Sequence, residues 1–190
     1  MIEHHALLIK SDTLAKSLTS YSRGRAGMTV TITSASAEHT DAIVILLEEM
    51  DRFYGATQFE SFDVRTHQVR QALFTDPPAA HALLAWDCGQ LVGIASYSFL
   101  WPAVGLARSL YLKELFVSGS RRRAGVGTSL MNALLDITAK LGCSRIEWTT
   151  DHGNAAAQQF YEKLNLSLLP SKLFYRADGD LLPRSADSWS

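Results

Sequence analysis

The sequence predicts a mixed α/β fold: a single domain with a mostly antiparallel sheet, one β-α-β crossover and flanking helices. Three observations lead there. The spacing of apolar residues switches along the chain between the alternation of a strand and the roughly 3.6-residue period of a helix. Two apolar runs, "HALLAW" and "LVGIASYSFL", are joined by the short turn "DCGQ", which is the pattern of an antiparallel hairpin. A strand, a loop, a helix and a second strand follow one another over 109–150, the order that a crossover between parallel strands requires. With 190 residues and 47% hydrophobic content, the chain is long enough to build one sizeable core.

The first predicted strand is "TVTIT" (29–33), β-branched and alternating. Residues 37–55 place apolar side chains at 43, 46, 47, 50, 53 and 54, a helical spacing closed by Gly55. A second helix over 61–74 begins at Ser61, a natural N-cap, and carries Val64, Val69, Leu73 and Phe74 loosely on one face before "DPP" ends it. The hairpin strands cover 81–86 and 91–100. Strand 109–117, "SLYLKELFV", alternates Leu110, Leu112, Glu114 and Phe116 on one face against Tyr111, Lys113, Leu115 and Val117 on the other. The next helix shows the stripe Leu130, Leu134, Ile137 and Leu141 and stops at Gly142. "SRIEWTT" (144–150) reads as a strand, "NAAAQQFYEKLN" (154–165) as a short helix and "SKLFYRA" (171–177) as a last strand. The predicted order is β α α β β β α β α β.

The ends differ from this pattern. Residues 1–27 read as a loose extension, 28–177 as the domain and 178–190 as a flexible polar tail. The opening stretch lacks the basic start and apolar centre of a secretory signal, and Glu3 and Asp12 argue against a mitochondrial presequence. No apolar run is long enough to span a bilayer. A cytoplasmic location follows by default. A net charge of −1, from 18 basic and 19 acidic residues, points to neither nucleic acid nor an anionic membrane as the main partner. Cys88 and Cys143 are read as reduced thiols in or near the core, and the six scattered histidines form no metal-binding spacing, so no metal is expected.

The near-neutral balance leaves "SRRRAGVGTSL" (120–130) in need of a local explanation. Backbone N–H groups at a helix N-terminus are unpaired and carry partial positive charge, so a phosphate can accept several at once. Close approach needs missing side chains, which Gly125 and Gly127 provide. Arg122 and Arg123 add fixed charge, and Thr128 adds a hydroxyl. A nucleotide-hydrolase loop is excluded by the missing Lys-Ser/Thr pair, and a dinucleotide fingerprint by Leu130 and the residues between Val117 and the glycines. R-x-x-G-x-G remains, filled by Arg122, Arg123, Ala124, Gly125, Val126 and Gly127. Alone, this hexapeptide fits a basic surface turn better than a phosphate cradle.

Its context is more specific. "LYLKELFV", "RRAGVG" and "EWTTDHGNAAAQQFYEKLN", in this order and spacing, resemble the GNAT superfamily of N-acetyltransferases, and the resemblance extends over about 28–176. It implies that the loop from Arg122 to Thr128 holds the pyrophosphate of acetyl-CoA. It also implies that Leu115, Phe116 and Val117 lie on a splayed strand beside the pantetheine arm, that Asn154 bonds the same arm, and that Tyr161 sits near the sulfur as general acid. A competing reading of Tyr161 is a half-buried aromatic on an amphipathic helix.

The chemistry gives these positions a reason. An alkylamine, with a pKa near 10.4, must lose a proton before it attacks a thioester. Glu114 is the candidate base or amine-orienting carboxylate, because an ionised group inside an apolar strand is costly without a partner or a task. A salt bridge or an edge position is its competing explanation. Glu48, Glu49, Asp51 and Asp151 are candidate contacts for a cationic acceptor, with Phe53 and Tyr54 as apolar walls, and a solvated helix end is the competing reading for each acid; His152 is a candidate base ranked below Glu114. Within the superfamily, the diamine and polyamine acetyltransferases look most similar, but Lys113 stands where they tend to carry a first acid. The expected activity is acetyl transfer from acetyl-CoA to a primary amine of a small molecule: polyamine-like, an amino acid derivative or an aminated antibiotic. The alternatives are acetylation of a protein N-terminus or lysine, and a non-catalytic CoA-binding regulatory domain. The resemblance also implies a homodimer.

Overall fold

The computed structural model describes residues 30–178. The expected extension over 1–27 and the tail beyond Asp178 therefore lie outside the described residues. The chain divides after Thr149 into two compact units.

The first unit is a mixed five-stranded sheet in the order β1-β2-β3-β4-β5. Its strands are β1 (Val30–Ser34), β2 (His81–Asp87), β3 (Gln90–Leu100), β4 (Ser109–Val117) and β5 (Ile146–Glu147). The first four run antiparallel to their neighbours, and β5 lies parallel to β4. The helix α1 (Thr40–Phe53) is entered through a 3-10 turn at Ala37–His39, and α2 (Phe62–Leu73) is capped by the Ser61 hydroxyl. A third helix, α3 (Val126–Lys140), forms the crossover from β4 to β5. The hairpin turn takes the left-handed conformation at Cys88 and Gly89, and Gly55 and Gly142 do the same where α1 and α3 end.

Each face of the sheet has its own core. On one face α3 buries Val126, Leu130, Met131, Leu134 and Ile137 completely. At about 1.5–3 kcal/mol for each large apolar side chain, this is a major source of stability. On the other face, Ile43 and Leu46 of α1 pack with Ala82, Leu84, Ile94 and Phe116, and Val69, Leu73 and Phe74 of α2 join them. Among the described residues, no helix is long and apolar enough to cross a membrane.

Five expectations need correction. The strand expected over 144–150 is only Ile146–Glu147. Residues 171–177 form no strand, and Leu173, Phe174 and Tyr175 are exposed. Cys88 is exposed in the hairpin turn rather than placed in or near the core. Val64 is also exposed, so α2 buries a narrower stripe than its spacing suggested.

The fifth correction concerns the faces of β4. Ser96 pairs with Glu114 but its neighbour Tyr97 pairs with Leu112, so Lys113 has no partner opposite it on β3. Such a bulge reverses the alternation. Leu110 and Leu112 therefore share the α3 face with Leu115 and Val117, whereas Glu114 shares the α1 face with Phe116.

The second unit, described from Thr150 to Asp178, contains α4 (Ala155–Lys163). The Asn154 side chain caps this helix by accepting from the Ala157 N–H at 3.1 Å. Gln158 ties the preceding turn to it by donating to the carbonyls of Asp151 and His152.

Candidate active site

The three arginines between β4 and α3 separate into three roles. Arg121 Nε donates to the buried Asp87 at 2.6 Å and so fixes the loop to the end of β2. Arg122 Nε donates to the Val117 carbonyl at 3.1 Å, while its guanidinium lies 3.9 Å above the Phe53 ring. A cation over an aromatic face gains about 0.5–1 kcal/mol when exposed. Arg123 is exposed, in the left-handed conformation (φ 63°), and makes no ion pair with any described residue.

The loop then reaches Gly125, which serves as the N-cap of α3 with φ 86°. A side chain there would strain the backbone. No side chain caps α3, and its first turn carries no acid. The amides at its start thus have the donors and the field that a phosphate needs.

Upstream, the ladder between β4 and β5 comprises only Leu110 with Ile146 and Tyr111 with Glu147. From Leu112 to Val117, β4 has no ladder partner on that side among the described residues. This stretch includes Leu115, Phe116 and Val117.

Glu114 sits half-buried on the α1 face, which the bulge at Lys113 makes possible. Burial pushes its carboxyl above the usual range; bonds from the Tyr54 hydroxyl and the Leu115 N–H and the charge of Lys113 oppose this, while Asp51 adds to it. The Tyr54 hydroxyl donates to Glu114 Oε1 at 3.3 Å. Phe53 lies edge-on to Tyr54 and 6.2 Å from Phe116, centroid to centroid. The end of α1 therefore gathers two exposed aromatics around an acid that resists ionisation. A carboxylate whose proton affinity is raised in this way is a stronger base toward an ammonium group.

The three acids in the last turns of α1 are already engaged. Glu48 is held below the usual carboxylate range by its hydrogen bond to Arg52, and it also pairs with Arg65. Asp51 accepts from Arg65 at 3.1 Å. Arg65, buried on α2, and Arg52 both face the Phe59 ring. Asp51, Phe59 and Arg65 border a cleft of about 380 Å³ between α1 and α2, floored by Val44, Leu47, Met50 and Val69. Glu49 Oε1 accepts from the Ser118 hydroxyl and the Gly119 N–H, both at 2.9 Å. Among the described residues, no group of three or more His, Cys, Asp or Glu could hold a metal ion.

In the second unit, Tyr161 is half-buried on α4 with its ring 5.2 Å from Phe160. The oxygen of Asn154 is engaged as the cap of α4. Sequence reasoning missed Asp87 and Arg65. An aspartate in a hairpin turn and an arginine in a polar helix look like ordinary surface residues, and their partners lie far along the chain.

Comparison with known proteins bears on this arrangement. The model of the acetyltransferase (GNAT) family matches residues 45–166. A D-amino-acid N-acetyltransferase from Saccharomyces cerevisiae is 30% identical over 111 residues, covering 57% of this chain and 68% of that protein. An L-ornithine acetyltransferase from Arabidopsis thaliana is 29% identical over 82 residues, covering 43% of this chain but only 36% of that protein. Among solved structures, an integron cassette protein from the mobile metagenome of V. cholerae superposes with a TM-score of 0.75 at 30% identity, covering 82% of this chain and 96% of that one.

Proposed function

The chain belongs to the acetyltransferase (GNAT) family, and from that premise we propose that it transfers the acetyl group of acetyl-CoA to a primary amine of a small molecule. The observation that carries the proposal is the position of Glu114. A bulge turns this acid onto the α1 face, beside Tyr54, on the strand that precedes the loop to the uncapped start of α3.

The residues present fit the co-substrate. In this reading the N–H groups from Arg122 to Thr128 hold its pyrophosphate, with Arg123 as the charged contact and Arg122 released from Phe53 to join it. The stretch of β4 at Leu115, Phe116 and Val117, which β5 leaves without a ladder partner on that side, receives the pantetheine arm. Asn154 uses its oxygen as a cap and keeps its amide N–H₂ for the same arm. Acetyl-CoA supplies the activated acyl carbon. Glu114 accepts the amine proton, and Tyr54 orients the carboxylate. Phe53 and Tyr54 form apolar walls for the acceptor. Tyr161, matched through the family motif, donates a proton to the leaving sulfur.

Glu48 fits the acceptor role less well than the sequence alone suggested, because Arg52 and Arg65 already neutralise it. The two curated relatives act, by their names, on a D-amino acid and on L-ornithine. They support an amino acid or an amino acid derivative as the first acceptor class, ahead of polyamine-like amines and aminated antibiotics. A cytoplasmic location and a homodimer belong to the same proposal.

The test is release of free thiol from acetyl-CoA across a panel of D- and L-amino acids, ornithine, polyamines, an aminoglycoside and a lysine peptide. Turnover with one small amine class supports the reading and names the acceptor. Turnover with the peptide alone replaces it with protein acetylation. No amine-dependent thiol release from protein that binds CoA contradicts it.

A further inference from the structure

The last turns of α1 contain an acid that no acceptor contact explains. Glu49 Oε1 accepts two hydrogen bonds from across the chain, one from the Ser118 hydroxyl and one from the Gly119 N–H, both at 2.9 Å. Ser118 is buried and itself anchored, its N–H donating to the Val92 carbonyl of β3 and its carbonyl accepting from Arg121. Gly119 opens the 3-10 turn Gly119–Arg121. The loop is thus pinned twice, to α1 through Glu49 and to β2 through Arg121 and Asp87. One turn beyond Glu49, the same helix carries Phe53 and Tyr54.

We propose that Glu49 is a positioning residue for the co-substrate loop: it fixes the start of residues 118–125 against α1, so that CoA affinity depends on this acceptor-side helix. The proposal rests on the acetyl-CoA reading above. It replaces the direct acceptor contact first expected of Glu49.

The charge of Glu49 gives the test its sign. A carboxylate near a phosphate-binding loop repels the ligand, so a purely electrostatic role predicts tighter CoA binding once the charge is removed. A positioning role predicts weaker binding despite that relief. Glu49 is exposed and its bonds compete with water, so the effect is several-fold rather than complete.

The experiment titrates CoA by calorimetry into the full chain and into Glu49→Ala, Glu49→Gln and Ser118→Ala, with amide hydrogen exchange followed over 118–128. Glu49→Ala is expected to weaken CoA roughly three- to tenfold and to speed exchange at Gly119. In turnover it raises the KM for acetyl-CoA with little change in kcat. Glu49→Gln keeps an oxygen acceptor and restores both affinity and protection. Ser118→Ala, which loses one of the two bonds, gives a smaller change in the same direction and decides the matter if Glu49→Ala does not fold. Unchanged or tighter CoA binding in Glu49→Ala overturns the proposal. If the unmodified chain binds no CoA, the co-substrate reading itself falls, and exchange alone judges the tether: unchanged protection in Glu49→Ala overturns it, and faster exchange supports it.

Discussion

On the α3 face of the sheet, Leu130, Met131, Leu134 and Ile137 are fully buried and pack against β1 to β4. The α1 face begins in the same way, with Ile43, Leu46 and Ile94 equally dry. It then opens toward the end of α1. Phe53 and Tyr54 are more than half exposed (56% and 57%), Arg122 lies across Phe53, and Glu114 is held between burial and the Tyr54 hydroxyl. The same strands therefore serve two ends. The face that α3 covers supplies stability, and the face left open at one end can hold an acid with a raised pKa and receive a ligand. The reversal of β4 at Lys113 assigns Leu112 to the first and Glu114 to the second.

Substitutions can break or sharpen this contrast. The largest stability effect belongs to the closed face: Leu130→Ala should cost about 2–5 kcal/mol through lost burial and a residual cavity, read as a fall in the denaturant midpoint. Gly93→Ala tests how tightly that face is packed. Its new Cβ would lie 3.0 Å from Val126 Cγ1, 3.2 Å from Leu130 Cδ1 and 3.3 Å from the Phe116 carbonyl. The expected loss is about 1–3 kcal/mol by the same measurement, and full stability would mean that α3 is free to shift outward.

On the open face the effects should move from stability to binding. Arg122→Ala combined with Arg123→Ala should weaken CoA by roughly tenfold or more, measured by calorimetry, with an almost unchanged melting temperature. Phe53→Ala should cost less than about 1 kcal/mol of stability because its ring is largely exposed, yet raise the acceptor KM.

The smallest effect has the most informative sign. Burial raises the Glu114 carboxyl above its unfolded value, so the folded chain holds that proton more tightly. Its contribution to stability is fully present below the unfolded pKa and is lost as pH rises through the folded pKa. At neutral pH Glu114→Gln should therefore raise the melting temperature slightly. A clear fall would mean that the carboxylate holds the fold together.

Much of this contrast was legible in the sequence. The stripe Leu130, Leu134 and Ile137, the hairpin and the glycine stops obey local rules and fold as those rules predict. Glu114 stood out because a charge is rare inside an apolar strand. The face it occupies was misread, since nothing in "YLKELF" marks the bulge; it arises from pairing with Ser96 and Tyr97, residues far away in the chain. "SKLFYRA" failed for a related reason. Alternation makes a segment able to join a sheet, but a strand exists only where a neighbour pairs with it. Glu49 and Asp87 were unreadable as tethers, because a helix-end acid and a turn aspartate look solvated until their partners, 70 and 34 residues onward, are brought to them.

The central claim is that Glu114, on the open face, takes the proton of the acceptor amine. Its most direct test is the pH dependence of kcat/KM for thiol release with the best acceptor, in the unmodified chain and in Glu114→Gln. The account predicts an acidic limb above the ordinary carboxylate range in the unmodified chain. In Glu114→Gln it predicts a fall of roughly a hundredfold and the loss of that limb, leaving only the limb set by the amine itself. A variant that keeps both the rate and the limb would contradict it.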